Sequence, residues 1–284
     1  MKFTKMHGCG NDYVYMDCTK GLPPAPEQLA VRISDRHFGV GSDGLILIAA
    51  SDTADFRMIM YNSDGSEAEM CGNGIRCVGK YVFDKGLTDQ TRLSIETKCG
   101  IKYLKLNTVN GRVSSVQVDM GEPSLSAAAL PVIGMGDPVI EKPVTAADRT
   151  FLMTCVSVGN PHAVLWVEDT DTCGLETYGP ILERDPIFPQ RCNIEFVQII
   201  DGHTIRMRVW ERGAGETLAC GTGACASAFA CYTAGKTGPD VSVQLLGGTL
   251  EISYDPTTNH ILMTGPAAAV FDGELLTEDI DEAD

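Results

Sequence analysis

The alternation of apolar and polar residues cuts the chain into many short segments and few helical ones. Residues 2–17 read as strand, turn, strand, with the turn at Gly8-Cys9-Gly10-Asn11-Asp12. Residues 26–36 predict a short helix, and the unbroken apolar run 45–49 predicts a buried strand. A strand over 56–61 turns at Asn62-Ser63-Asp64-Gly65. The pattern over 74–85 predicts a helix, stopped by Gly86. Strands follow at 93–96, 101–106 and 113–119, the last two joined by the hairpin signal Asn110-Gly111. Residues 121–150 are rich in Pro, Ala and Gly and read as a linker. The pattern then restarts. A strand at 155–158 leads to the turn Gly159-Asn160-Pro161, and strands follow at 193–200 and 204–210. A helix over 223–234 stops at Gly235, and strands at 241–245, 249–254 and 261–264 close the series. Many strands with one or two helices per half define an α+β class, each half a mostly antiparallel sheet wrapped around a central helix.

The restart is an internal repeat. Met70-Cys71-Gly72-Asn73-Gly74 and Ala219-Cys220-Gly221-Thr222-Gly223 lie 149 residues apart. The same offset superimposes Gly10-Asn11 on Gly159-Asn160, Arg57-Met58 on Arg206-Met207, Glu67 on Glu216 and Gly86 on Gly235. It also lays Leu45-Ile46-Leu47-Ile48 on Ile194-Glu195-Phe196-Val197. One register held through five segments indicates duplication of an αβ unit, with a period far too long for a solenoid. Two pseudo-symmetric lobes are expected, 1–120 carrying Cys71 and 121–264 carrying Cys220.

Composition narrows the class without naming it. A chain of 284 residues, 44% hydrophobic and 21% charged, is an ordinary globular protein of one large or two average domains. It has no apolar run of membrane-spanning length and no cleavable leader, so no membrane is expected and the location is cytoplasmic. The net charge of −16 argues against nucleic acid and anionic membranes as partners. A small anionic substrate is still allowed, because a local nest of backbone N–H groups can bind a carboxylate. Eleven cysteines, an odd number without regular spacing, fit a reducing compartment better than a disulfide framework. No Cys-x-x-Cys occurs and no His stands at ligand spacing from a Cys pair, so no structural metal is expected.

The two repeated thiols carry the chemistry. Each precedes a Gly-x-Gly at the start of a helix, where the helix dipole lowers a thiol's pKa and favours thiolate. The turns Gly72-Asn73 and Gly221-Thr222 can aim N–H groups at an anion, and their glycines admit a ligand close to the backbone. A substrate carboxylate held there would place its α-carbon between two sulfurs. Losing the α-proton makes an enolate-like carbanion whose charge flows onto the carboxylate, so those donors bind the transition state better than the ground state. One sulfur takes a proton and the other returns one on the opposite face. A single cysteine before glycine is more often a packing residue; the matched pair is what supports catalysis. Cys77 and Cys225 fall out of register and read as core.

Glu211-Arg212 could hold the ammonium and carboxylate of a zwitterion, against the alternative of a surface ion pair worth under about 1 kcal/mol. On the offset this pair falls on Asn62-Ser63, and Asn193 on Gly44, so the lobes differ where a substrate's distal end needs an asymmetric grip. His162, beside the repeated Gly-Asn turn, is a candidate for a supporting role.

The segments Met6-His7-Gly8-Cys9-Gly10-Asn11-Asp12-Tyr13, Tyr61-Asn62-Ser63-Asp64-Gly65-Ser66, Cys71-Gly72-Asn73-Gly74-Ile75-Arg76, Gly159-Asn160-Pro161-His162 and Glu211 through Gly223 together resemble the diaminopimelate epimerase family over essentially the whole chain. The resemblance implies Cys71 and Cys220 as the acid–base pair, and Asn11, Asn62, Asn160, Asn193, Glu211 and Arg212 as substrate ligands. It implies that Gly72, Asn73, Gly221 and Thr222 bind the reacting carboxylate, and that His162 and Glu211 influence the cysteine pKa values. It further implies a C-terminal strand, about 265–284, returning to the first lobe, an amino acid substrate, no cofactor, and a homodimer. Some members carry Gln where Gly44 stands; Cys9, Tyr13 and Thr222 are smaller departures. The implied reaction converts LL-2,6-diaminopimelate to the meso form, toward lysine and peptidoglycan precursors. The alternatives are a racemase of the same fold acting on another amino acid such as histidine, a non-catalytic binding protein, and a cysteine-ligated metal protein.

Overall fold

The computed structural model describes residues 1–276. The chain divides into two units, one formed by Met1–Val118 with the segment from Gly265 onward, the other by Asp119–Thr264. The last part of the expected returning segment, 277–284, lies outside the described residues.

The first unit begins with β1 (Lys2–Gly8) and β2 (Asn11–Cys18), an antiparallel hairpin. Helix α1 (Pro26–Ser34) then carries the chain across to β3 (Gly44–Ala49), which pairs parallel with β2 and is buried at all six positions. A strand buried on both faces needs an unbroken apolar sequence, which Leu45-Ile46-Leu47-Ile48 supplies. β4 (Phe56–Asn62) pairs antiparallel with β3, and the short β5 (Glu67–Ala68) folds back on β4. Helix α2 (Gly72–Asp84) follows; its Ile75, Arg76, Cys77, Val78 and Val82 have no solvent exposure. β6 (Arg92–Thr97) runs parallel to β4, and β7 (Gly100–Val109) and β8 (Arg112–Gly121) complete the meander. Asn110 and Gly111 between them both have positive φ, as the two central residues of a type I′ turn require. One face of β3 packs on α1 through Leu29, Ala30, Ile33, Leu45 and Leu47. The other faces α2: a Cβ at Gly74 would lie 2.7 Å from Ile46 Cδ1.

The second unit repeats this plan: β9 (Lys142–Ala146), β10 (Arg149–Ser157), β11 (Pro161–Trp166), α3 (Leu175–Glu183), β12 (Asn193–Asp201), β13 (Thr204–Glu211), β14 (Gly215–Glu216), α4 (Gly221–Thr233), β15 (Asp240–Leu245), β16 (Gly248–Asp255) and β17 (His260–Pro266). β18 (Ala268–Glu274) pairs antiparallel with β1 in the first unit. The 149-residue offset governs the pairing as well as the sequence. Tyr13↔Gly44 in the first parallel pair becomes His162↔Asn193 in the second, and Leu45↔Tyr61 becomes Ile194↔Trp210. α1 and α3, and α2 and α4, begin and end at corresponding residues. The architecture is α+β, four helices among many strands in the described residues.

Several elements differ from the sequence reading. The stretch 121–150 is not linker throughout, because it contains β9 and the start of β10. Pro143 is tolerated because β9 pairs with β10 alone among the described strands, so its missing N–H breaks no second ladder. β11 opens with Pro161, an allowed first strand position. α3 forms despite Pro180 inside it, its Leu175 and Leu182 buried in the cluster with Phe151, Ile194 and Phe196.

Candidate active site

The two repeated cysteines are helix N-caps. Cys71 has φ −128° and ψ 119°, and Cys220 has φ −117° and ψ 112°, both extended conformations that break the helix just upstream. In each case the sulfur accepts the N–H of the third helical residue, Gly74 or Gly223, at 3.3 Å. Sulfur thus does the work usually done by a Ser or Asp oxygen. Both helices start two residues earlier than the pattern predicts, so Gly72-Asn73 and Gly221-Thr222 are the first two helical residues rather than a preceding turn. No carbonyl of the same helix reaches the N–H groups of these positions. Glycine is required at the third position. A Cβ at Gly223 would sit 2.8 Å from Glu195 Oε1 and 3.2 Å from Cys220 Sγ.

Around Cys71 the first unit places Asn11. Its Oδ1 accepts from the Cys71 thiol at 3.2 Å, while its Nδ2 donates to Asp43 Oδ2 at 2.8 Å. Asp43 also accepts the Asp12 N–H at 3.0 Å and pairs with Arg36 at 2.9 Å. Lys5 binds Asp12 at 2.5 Å and also the Gly41 carbonyl. Asp43 therefore decides which end of the Asn11 amide faces the sulfur, a role the sequence reading did not assign. Asn62 ends β4 and donates to Ser66 Oγ at 3.0 Å. Asn73 Oδ1 and the Gly72 carbonyl are both gripped by the buried Arg76, at 2.9 and 3.0 Å. Gly44 has no room for a side chain: its Cβ would lie 2.1 Å from the Tyr61 carbonyl and 2.8 Å from the Tyr13 ring. The departures at Tyr13 and Gly44 are thus one feature, an aromatic ring lying over a glycine on the neighbouring strand.

Around Cys220 the second unit is more enclosed and more acidic. Cys220 is 6% exposed. Its sulfur lies 3.5 Å from Thr222 Oγ1, which accepts from Asn160 Nδ2 at 3.4 Å. Asn160 Oδ1 is 3.0 Å from His162 Nε2, and His162 Nδ1 is 2.6 Å from Glu195 Oε1. His162 and Glu195 are both fully buried. Glu211 accepts from Thr217 Oγ1 at 2.5 Å. Burial pushes the Glu211 carboxyl up, against the opposing pull of Thr217 and His162. Asn193 bridges two loops, donating to the Pro161 carbonyl at 2.9 Å and accepting the Arg212 N–H at 2.9 Å. The Arg212 guanidinium donates to the Gln190 carbonyl at 3.2 Å, so Glu211 and Arg212 make separate contacts rather than one pair.

One expectation is overturned. The helix dipole was expected to favour thiolate at both N-caps, yet the Cys220 thiol is held well above its ordinary pKa. Burial is the largest cause, followed by the carboxylates of Glu211 and Glu195; Thr222 and the Gly223 N–H oppose them without prevailing. Glu195, like Asp43, contacts a site residue and was not singled out by sequence reasoning. An acid inside an otherwise apolar run, aligned with Ile46 on the repeat, was its only signal.

The fold, two like units each with a cysteine capping a buried helix, is shared with solved structures. A PhzF-family phenazine biosynthesis protein of Bacillus anthracis shares it at a TM-score of 0.70 and 19% identity, covering 97% of this chain and 99% of its own. An Agrobacterium radiobacter protein described as a probable proline racemase does so at 0.72 and 15%, covering 99% and 94%. At those identities the likeness establishes the fold alone. The sequence matches the diaminopimelate epimerase family over residues 3–126 and 154–270. It is also 55% identical over 275 residues to the diaminopimelate epimerase of Methanococcus maripaludis, covering 97% of this chain and 99% of that one. The chain belongs to the diaminopimelate epimerase family and is an isomerase.

Proposed function

We propose that this protein converts LL-2,6-diaminopimelate to meso-diaminopimelate by two-base proton transfer, in the formation of lysine and peptidoglycan precursors. The observation that carries the mechanism is the matched pair of cysteine N-caps, each accepting the third N–H of its helix at 3.3 Å. Inversion needs a base on one face of the α-carbon and an acid on the other, and a duplicated thiol supplies both from one residue type. The first N–H groups of α2 and α4, at Gly72-Asn73 and Gly221-Thr222, receive the reacting carboxylate and stabilise the charge it gains as the proton leaves. Cys220, kept protonated by burial and by Glu211, is the acid of the resting protein. The two sulfurs exchange the roles of base and acid according to which isomer is bound, the base being the one that faces the α-hydrogen. Asn11, Asn62, Asn160, Asn193, Glu211 and Arg212 bind the amino and carboxylate groups, and His162 and Glu211 set the proton affinity of Cys220. The protein acts as a cytoplasmic homodimer without a cofactor. No helix among the described residues is long and apolar enough to cross a membrane.

The test is incubation with LL-diaminopimelate in heavy water, following deuterium at the α-carbon, for the wild type, Cys71→Ala and Cys220→Ala. Both variants should fold and neither should epimerise, because each turnover needs both sulfurs. Turnover by either variant within about tenfold of wild type, a barrier change of only about 1.4 kcal/mol, would exclude the two-base assignment. Faster exchange with histidine than with diaminopimelate would reassign the substrate.

A further inference from the structure

The hydrogen-bond chain beside Cys220 has a proton count that can be worked out from its geometry. Asn160 donates through Nδ2 to Thr222 Oγ1 at 3.4 Å, so its Oδ1 is the end that meets His162 Nε2 at 3.0 Å. An amide oxygen accepts only, and Nε2 therefore carries a hydrogen. On the other side of the ring, Nδ1 and Glu195 Oε1 are 2.6 Å apart, a separation that needs a proton between them. Glu195 and His162 together thus hold two such protons and are neutral as a pair. The second carboxyl oxygen of Glu195, Oε2, is buried and has no hydrogen-bond partner among the described residues. Glu195 is spent entirely on the ring.

We infer that Glu195 is a positioning residue that locks His162 with its hydrogen on Nε2 and so fixes the Asn160 amide with its NH2 end toward Thr222. The inference rests on the reading of Asn160 as a substrate ligand. A carboxylate substrate needs donors, and only this orientation of Asn160 offers one. Without Glu195 the ring is free to carry its hydrogen on Nδ1. Nε2 then becomes an acceptor, the Asn160 amide turns over to satisfy it, and Oδ1 faces the substrate's negative charge. The repeat shows that the device is confined to one site. At the corresponding positions of the first unit stand Ile46 and Tyr13, and Asn11 is oriented instead by Asp43 from a different loop. The contact is also tight, since only glycine at position 223 leaves space for the Glu195 carboxyl beside Cys220.

Glu195→Gln and Glu195→Leu separate this role from simple packing. Glutamine can donate from its amide to Nδ1 and keep the hydrogen on Nε2. Leucine fills similar space and supplies nothing. KM and kcat for LL-diaminopimelate are measured for both variants and the wild type, and the His162 tautomer is read by nitrogen-15 NMR of histidine-labelled protein. Leucine should raise KM at least about tenfold with a smaller effect on kcat, the scale of one lost hydrogen bond to a charged group. Glutamine should restore KM to within about threefold of wild type. The ring should carry its hydrogen on Nε2 in the wild type and the glutamine variant, and shift toward Nδ1 with leucine. A wild-type ring with Nε2 bare, a leucine variant with unchanged KM, or a glutamine variant as impaired as leucine would each overturn the proposal. If the leucine variant does not fold, the tautomer and KM of the glutamine variant still decide it. Failure of the wild type to turn over diaminopimelate would sink the proposed function alone, because the tautomer is read without substrate.

Discussion

Burial of thiols makes this protein alkali-sensitive by a calculable amount. Cys155 and Cys231 are pushed from an ordinary 9.0 up to about 12 each, chiefly by desolvation; Glu195 adds to the rise at Cys155, and Lys236 offsets it slightly at Cys231. A folded pKa above the unfolded value means the stability is whole below pH 9 and is lost as pH rises toward about 12. At pH 10 an unfolded thiol is roughly nine-tenths ionised while the folded one is about one-hundredth ionised, a difference of about 1.4 kcal/mol per cysteine. The two together cost about 3 kcal/mol, a large part of a typical 5–15 kcal/mol. Both lie in the second unit, as do the chain's two tryptophans, Trp166 and Trp210. Urea unfolding followed by tryptophan fluorescence, under reductant at pH 8 and pH 10, therefore reads the right part of the molecule. The double variant Cys155→Ala, Cys231→Ala starts less stable at pH 8 because it leaves small cavities. Between pH 8 and pH 10 it should lose about 3 kcal/mol less than wild type. Equal losses in the two proteins would refute the reasoning, since cavities do not titrate.

Asp43→Ala should lower kcat/KM about tenfold, the effect of losing one hydrogen bond to a charged acceptor that orients Asn11. Arg36→Met, which removes exposed ion pairs to Asp43 at 2.9 Å and Asp12 at 3.1 Å but leaves the Asn11–Asp43 hydrogen bond, should stay within about threefold; steady-state kinetics on both variants make the comparison, and equal effects would count against orientation. Arg212→Lys should cost roughly 2 kcal/mol or more in kcat/KM, because an ammonium cannot grip a carboxylate with two parallel hydrogen bonds. Unchanged constants for diaminopimelate would leave Arg212 as a loop residue tied to Gln190.

What was legible in the sequence is what short-range physics controls. The Asn110-Gly111 turn needs only two residues with positive φ. Helices α2 and α4 need an apolar stretch, a capping residue and a terminal glycine, all within about fifteen positions. The 149-residue register, kept through helices and strand pairing alike, came from comparing the chain with itself. Elements that break local rules were missed. α3 contains Pro180, β9 contains Pro143 and β11 begins with Pro161, and each exists because its neighbours bury it or leave its missing N–H unneeded. The site divides in the same way. Both sulfurs and their glycines are contiguous in sequence, so a thiol at each helix start could be read directly, although each helix begins two residues earlier than its pattern shows. The partners that set their chemistry are distant: Asp43 lies 32 residues from Asn11, and Glu195 lies 33 from His162. No local pattern says that a strand acid will meet a histidine across a parallel pair, or that Tyr13 will cover Gly44. The proton affinity of Cys220 is the clearest case. A sequence shows the helix dipole, which acts locally and lowers the pKa. Only the folded unit shows the burial and the two converging carboxylates, and desolvation in a low-dielectric interior outweighs a terminal half-charge.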